Sequence, residues 1–211
     1  MSFNLGDIWS YEDKTRNLPS IQVVRYPTIH YQDWFPVSVI NPNFEKGPWI
    51  AGGAGLRWYQ GIPVGESDID VYCSSPMQAE QLQQKIFASM ACTEKYKSDN
   101  AVTLEVSKDD QTWTVQIIKK NYFTDMQKVI DSFDLSVCQV ATDGNTYLLG
   151  NHTAKDIRER NLRMRMPLQA DALKRLIKYW TYGYRPVDGL LEAIQHNPVG
   201  RWEFNPAEDY L

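Results

Sequence analysis

The residues best suited to chemistry lie between Ile50 and Cys73. Asp68 and Asp70 flank one apolar residue in the β-prone run Asp68-Ile69-Asp70-Val71-Tyr72. Alternate side chains of a strand share a face, so the two carboxylates are expected side by side, with Ile69, Val71 and Cys73 turned to the core. Adjacent carboxylates repel unless a cation lies between them, and oxygen ligands of this kind suit a hard divalent ion. Upstream, Pro48-Trp49-Ile50-Ala51 reads as a short buried strand entering Gly52-Gly53-Ala54-Gly55, with Leu56-Arg57-Trp58-Tyr59 opening a helix. A strand, a glycine turn and a helix start can present backbone N–H groups to a phosphate. The pattern points to metal-assisted phosphoryl or nucleotidyl transfer. The alternative is a glycine-rich surface loop followed by an edge strand whose acids face water.

Gly52-Gly53-Ala54-Gly55-Leu56-Arg57 followed by Ser67-Asp68-Ile69-Asp70-Val71 resembles the signature of the DNA polymerase β-like nucleotidyltransferase superfamily. Its form is most similar to the catalytic head of CCA-adding enzymes and bacterial poly(A) polymerases. The resemblance covers roughly residues 48 to 185 and is specific only in its first quarter. It implies an α+β fold, a polymerase β-like mixed sheet with covering helices and a C-terminal helical segment. It also implies Mg²⁺ (or Mn²⁺) ions on Asp68 and Asp70, and a nucleoside triphosphate whose β- and γ-phosphates meet Gly52, Gly53, Ala54 and Arg57. A third carboxylate is expected on the second strand of a neighbouring hairpin, where Val115-Gln116-Ile117-Ile118 puts a neutral amide instead. Glu105, on the facing strand, and Asp134 are the acids that could replace it. Asp134 is preferred as third catalytic and metal-binding acid, because Phe133 to Ala141 resembles, with a shifted composition, the Arg-Asp-Phe-Thr-Ile-Asn-Ala segment of that branch and places Asp134, Ser136 and Cys138 on one face. Arg57 could alternatively pair with Asp68. If no third acid reaches the metal, a catalytically weak nucleotide- or RNA-binding homologue is the alternative to an active enzyme.

The elements that must position these groups follow in order. Residues 1–20 read as polar surface, Ile21 to Tyr26 as a strand, and Tyr31 to Ile40 as a helix that Pro36 would end or kink. Ser75 and Pro76 form a helix start, and Leu82, Ile86, Phe87 and Met90 recur at helical spacing. Ala101 to Val106 and Thr112 to Ile118 read as a hairpin joined through Lys108-Asp109-Asp110-Gln111. Residues 1–150 are thus expected to form the catalytic core with its N-terminal extension, and 151–211 a basic helical segment packed on it.

Between Lys155 and Arg185 there are nine Lys and Arg against three Asp and Glu, a balance suited to a triphosphate or a polynucleotide backbone. Leu168 to Tyr182 reads as an amphipathic helix with Leu173, Leu176, Ile177 and Trp180 inside. Lys174, Arg175 and Lys178 then lie outside, Lys174 and Lys178 as candidate phosphate contacts. Gly183 suits the C-terminal cap. A net charge of −4 excludes a uniformly basic nucleic-acid coat protein. No apolar run is long enough to span a membrane and no signal peptide is evident, so a cytoplasmic location is expected. Cys73, Cys92 and Cys138 lack the spacing of a zinc site. The partners expected are a nucleoside triphosphate and an acceptor hydroxyl on RNA, protein or a small molecule.

Overall fold

In a computed structural model, residues 22–25, 29–65, 67–89, 91–165 and 172–196 are described. The expectations for residues 1–20 and for the tail from Trp202 to Leu211 lie outside them. In chain order the elements are β1 (Gln22–Arg25), α1 (Trp34–Ile40), β2 (Trp49–Ala51), α2 (Gly53–Tyr59), β3 (Ile69–Tyr72) and α3 (Pro76–Ser89). They continue with β4 (Ala91–Lys97), β5 (Ala101–Lys108), β6 (Gln111–Ile118), α4 (Met126–Asp131), β7 (Val140–Thr142) and β8 (Thr146–Leu149). The last are α5 (Thr153–Glu159), β9 (Asn161–Leu162), α6 (Ala172–Thr181), β10 (Arg185–Pro186) and α7 (Leu190–His196). This is an α+β fold.

Eight strands form one mixed sheet in the order β1-β8-β7-β2-β3-β6-β5-β4. Its β3–β6 pair is parallel, and the remaining neighbours are antiparallel. One face carries Ile50, Ile69, Val71, Val102, Leu104, Val115 and Ile117, all fully buried in the main core with Ala79, Leu82 and Ile86 of α3. On the opposite face Trp49, Ala51, Ala141 and Leu148 pack against Met126, Val129 and Ile130 of α4. That second layer covers the β8-β7-β2 part of the face. The half-buried Asp70, Gln116 and Thr103 continue the face beside it.

Local chemistry explains several boundaries. Pro36 falls in the first turn of α1, where its missing N–H costs no helical bond, so it neither ends nor kinks that helix. In α3 Phe87 is exposed, and the inner stripe is Ala79, Leu82 and Ile86. β4, with an exposed and strongly polar sequence, carries no hydrophobic alternation and was not expected from the sequence.

The expected strand from Phe133 to Ala141 is replaced by a 3-10 turn, Ser136–Cys138, and the shorter β7. Asp156 accounts for the break. Its buried carboxylate accepts from Ser136 Oγ at 2.6 Å and Arg163 Nε at 3.2 Å, while Thr153 Oγ1 donates to the Ser136 carbonyl at 2.8 Å. These side-chain bonds draw the segment onto α5 and away from the sheet. The basic stretch after α5 is also less helical than expected, because Arg160 takes a left-handed conformation and β9 pairs in parallel with β10. Leu162, Met164, Leu176, Tyr179 and Leu190 join the main core cluster, so the basic segment and the sheet share one interior.

Candidate functional site

β3 fixes the acidic pair. Ile69, Val71 and Cys73 are fully buried on the core side, and Asp70 points to the opposite, half-open face, with Asp68 one residue ahead of the strand. Tyr72 follows Asp70 on that face, its ring edge-on to Phe123 and Phe133 at centroid distances of 6.0 and 5.8 Å. Asp70 thus stands at the border between the apolar layer under α4 and the open sheet.

The glycine turn meets it there. Gly52 has φ +80°, a conformation that disfavours a side chain, and a Cβ built on it would lie 3.7 Å from Asp70 Oδ2 and 3.0 Å from the Phe133 ring. Gly55 is required for packing, since a Cβ there would meet the Val140 carbonyl oxygen at 2.8 Å. The Gly52 N–H donates to Val140 O at 2.9 Å and is therefore spent within the sheet. First-turn donors of α2 that could face a phosphate belong instead to Gly53 and Ala54. Arg57 turns away from this end: its Nε donates to the Pro63 carbonyl at 2.8 Å, bracing the loop that leads into β3.

Gln116 lies in register with Asp70 on the adjacent parallel strand, the place expected for a third acid. Its Nε2 donates to Thr103 Oγ1 at 3.2 Å. Glu105, the other hairpin acid, is two residues further along β5 and pairs with Lys95 at 3.0 Å. Asp134 sits in a non-strand segment, nearly buried. Its carboxylate accepts from Arg175 Nε at 3.1 and 3.0 Å and from Arg175 Nη2, and from the Leu135 N–H at 2.9 Å. The carboxylate expected to join the metal site is thus engaged by an arginine.

α6 supplies the positive side of the site. Its inner stripe is Ala172, Leu176 and Tyr179; Ile177 and Trp180, expected inside, are half exposed. Arg175, expected to point outward, reaches Asp134, and Lys178 lies close enough to act on both Asp68 and Asp70. Burial pushes the Asp70 carboxyl up to about 7, the negative charge of Asp68 adding to the rise and Lys178 opposing it. Asp68 is raised too, by partial loss of water, again opposed by Lys178. Burial raises Tyr179 well above the usual phenol range, with Cys138, to which it is hydrogen-bonded, and Asp70 adding to the effect. Lys174 lies on the same helix, one turn before Lys178.

The sequence pointed to Asp68, Asp70, Gln116 and Lys178 but not to the buried tyrosines Tyr72 and Tyr179, whose hydroxyls feel the Asp70 charge. Among the described residues no group of three or more His, Cys, Asp or Glu side chains could hold a metal ion. Asp68, Asp70 and the amide of Gln116, in register with Asp70, are oxygen donors of the type a hard divalent cation prefers. A second ion would lack a third carboxylate.

The sequence pattern of the Gabija anti-defense 2 family (Gad2) matches residues 26–160. The chain belongs to this family. The matched stretch contains the glycine turn, both aspartates, Gln116 and Asp134, and stops before α6. Among solved structures, the Thermotoga maritima CCA-adding enzyme complexed with tRNA is similar over 71% of this chain and 37% of that one, at 14% identity and a TM-score of 0.51. Apo form I of a tRNA-processing enzyme is similar over 82% of this chain and 48% of that one, at 11% identity and a TM-score of 0.59. The Gad2 chain spans less than half the length of either, and the likeness is one of fold. No curated protein matches it in sequence. No helix among the described residues is long and apolar enough to cross a membrane.

Proposed function

We propose that this Gad2 chain is a nucleotidyltransferase, moving a nucleoside monophosphate from a nucleoside triphosphate to an acceptor hydroxyl. The transfer would serve the Gabija anti-defense role given in the family's name. The observation that carries this reading is the meeting of the glycine turn and the acidic strand, with Asp70 Oδ2 3.7 Å from where a Gly52 Cβ would stand. A Cβ there would touch the carboxylate at ordinary contact distance and press on the Phe133 ring beside it.

Asp68 and Asp70 would hold Mg²⁺ or Mn²⁺, which when bound supplies charge neutralisation for the triphosphate and the leaving group. Gly53 and Ala54 offer N–H groups to phosphate oxygens, and Lys178, with Lys174 a turn away, adds positive charge opposite the aspartates. The acceptor oxygen attacks the α-phosphorus. Its bond to phosphorus forms as the α–β phosphoanhydride bond breaks, pyrophosphate leaves with the electron pair, and the acceptor proton passes to water. Positioning and charge stabilisation would account for most of the rate. The acceptor could be an RNA end, a protein side chain or a small molecule.

A second reading, nucleotide binding without turnover, is favoured by Gln116 and by the Arg175 pairing of Asp134. Pyrophosphate release separates the two. Each of the four ribonucleoside triphosphates is incubated with Mg²⁺ or Mn²⁺ and a mixed RNA acceptor, using the natural chain, the Asp68→Ala/Asp70→Ala variant and Gln116→Glu. Release lost in the double alanine variant supports transfer, and its anti-defense activity should vanish with it. Metal-dependent nucleotide binding with no release from the natural chain, and release from Gln116→Glu, would establish the second reading. No binding and no release would sink both.

A further inference from the structure

Three polar side chains stand in one row across the sheet. Asp70 of β3 is in register with Gln116 of β6, and Gln116 with Thr103 of β5. Residues directly opposite one another on neighbouring strands share a face, so all three project from the face that carries the acidic pair. The backbone under this row is pinned from the other side. Ile69, Val71, Val115, Ile117, Val102 and Leu104 alternate with the row and are all fully buried.

A fixed backbone does not by itself fix Gln116. Its side chain turns about three bonds, and its amide carries an oxygen at one end and N–H donors at the other. Only the oxygen can ligate a hard cation. Thr103 decides which end goes where, because Gln116 Nε2 donates to Thr103 Oγ1 at 3.2 Å. β6 lies between β3 and β5 in the sheet. With the nitrogen drawn toward β5, the oxygen of the planar amide is left for the other side, where Asp70 stands. Thr103 is half-buried and β-branched, with few χ1 states, so its hydroxyl is a stiff anchor. A carboxylate at position 116 would need no such neighbour, since either of its oxygens can bind a cation. The neutral amide creates the need for a partner that orients it.

We propose that Thr103 is a positioning residue: by accepting the Gln116 N–H it turns the amide oxygen toward Asp70, so that a divalent cation on Asp68 and Asp70 gains a third, neutral oxygen ligand. This inference rests on the metal-assisted reading and adds to it the residue that makes a neutral third ligand usable. The same hairpin supplies an internal comparison. The hydroxyls of Ser107 and Thr112 bond at 3.0 Å across β5 and β6, two same-face rows further from Asp70.

The test is Mn²⁺ binding to the full chain, read from the electron paramagnetic resonance signal of the free ion, with the metal-free melting temperature of each protein recorded. The proteins are the natural chain, Thr103→Val, Thr103→Ser, Thr112→Val, Gln116→Ala, Gln116→Glu and the two double variants that add Thr103→Val to the Gln116 changes. Thr103→Val is expected to weaken Mn²⁺ binding roughly ten- to hundredfold, the effect of losing a partner that orients a ligand. Thr103→Ser, which keeps the hydroxyl, should restore the natural affinity, and Thr112→Val should leave it unchanged. In the Gln116→Ala and Gln116→Glu backgrounds, Thr103→Val should cost no further affinity, because the amide it orients is gone. A threonine that only supports the sheet would cost the same in every background, and that result would overturn the proposal. Equal or tighter Mn²⁺ binding by Thr103→Val would overturn it as well, since the amide nitrogen would then be the end that faces Asp70. So would Gln116→Ala binding Mn²⁺ as the natural chain does. In each of these cases the metal-assisted reading stands as long as Asp68→Ala/Asp70→Ala abolishes binding. A natural chain that binds no Mn²⁺ would overturn the proposal together with the reading it rests on.

Discussion

At the scale of single residues, Asp70 concentrates the consequences. Its ordinary pKa is 3.8, and burial with the Asp68 charge lifts it to about 7 in the folded chain. Between those values the folded state binds more protons than the unfolded one, so metal-free stability falls as pH rises from about 4 to about 7 and is level above. Asp70→Asn removes that slope, and at pH 8 without metal it should be more stable than the natural chain by on the order of 2 kcal/mol after solvent screening. Urea denaturation at pH 5 and 8 measures both; an unchanged slope in the variant would contradict the placement of Asp70. A divalent ion requires the ionised carboxylate, so the thermal stabilisation by Mg²⁺ should grow as pH rises through 7.

The element that matters most is α6. Its Arg175 closes on the nearly buried Asp134 with two donor nitrogens and so helps set the rotation of the helix that carries Lys178. Removing the arginine leaves a carboxylate without its main partner. Arg175→Ala is expected to cost about 3 kcal/mol, toward the lower end for a broken buried pair because Arg175 itself is partly exposed. Asp134→Asn, which keeps an acceptor for Arg175, should cost less. The same pair of variants tests Asp134 as a metal ligand. If Asp134 acts only through Arg175, Asp134→Asn lowers the melting temperature but retains the full stabilisation by Mg²⁺. Loss of the Mg²⁺ effect would return the third-acid role to Asp134. The sequence suggested an outward Arg175 because hydrophobic periodicity alone places Ile177 and Trp180 inside. Burial of Ala172 and Tyr179 instead rotates the helix, and a charged partner across the interface decided the rotation.

At the scale of the whole molecule, the frame that carries the site is tied together by Asp33. Its carboxylate, buried just ahead of α1, accepts from Trp58 Nε1 and the Val64 N–H, each at 2.7 Å, and from Trp113 Nε1 at 3.1 Å. It therefore joins the N-terminal region, α2, the loop before β3 and β6, which hold the glycine turn, the aspartates and Gln116. Asp33→Ala leaves three buried donors unmatched and should cost more than about 3 kcal/mol in urea denaturation. Asp33→Asn, with one acceptor oxygen, should fall between. A loss below that of Asp68→Ala would contradict this role. Nothing in the spacing of residues 31–45 advertised it, because the three donors come from distant parts of the chain.

What the sequence determined by itself was local. The alternation Asp68-Ile69-Asp70-Val71 fixes which side chains of β3 share a face, the glycines fix a turn that only small residues can make, and the 101–118 pattern fixes a hairpin. From these the α+β fold and the two central acids were legible, as was the neutral Gln116 beside Asp70. Tertiary structure decided the rest, because it depends on partners far apart in the chain. Asp134 goes to Arg175 across 41 residues. The expected 133–141 strand yields to the bonds that Asp156 and Thr153 make with Ser136, and Lys178 comes to act on the aspartates through the way Leu176 and Tyr179 seat its helix in the core. Short-range periodicity encodes a face; which charge that face meets depends on packing.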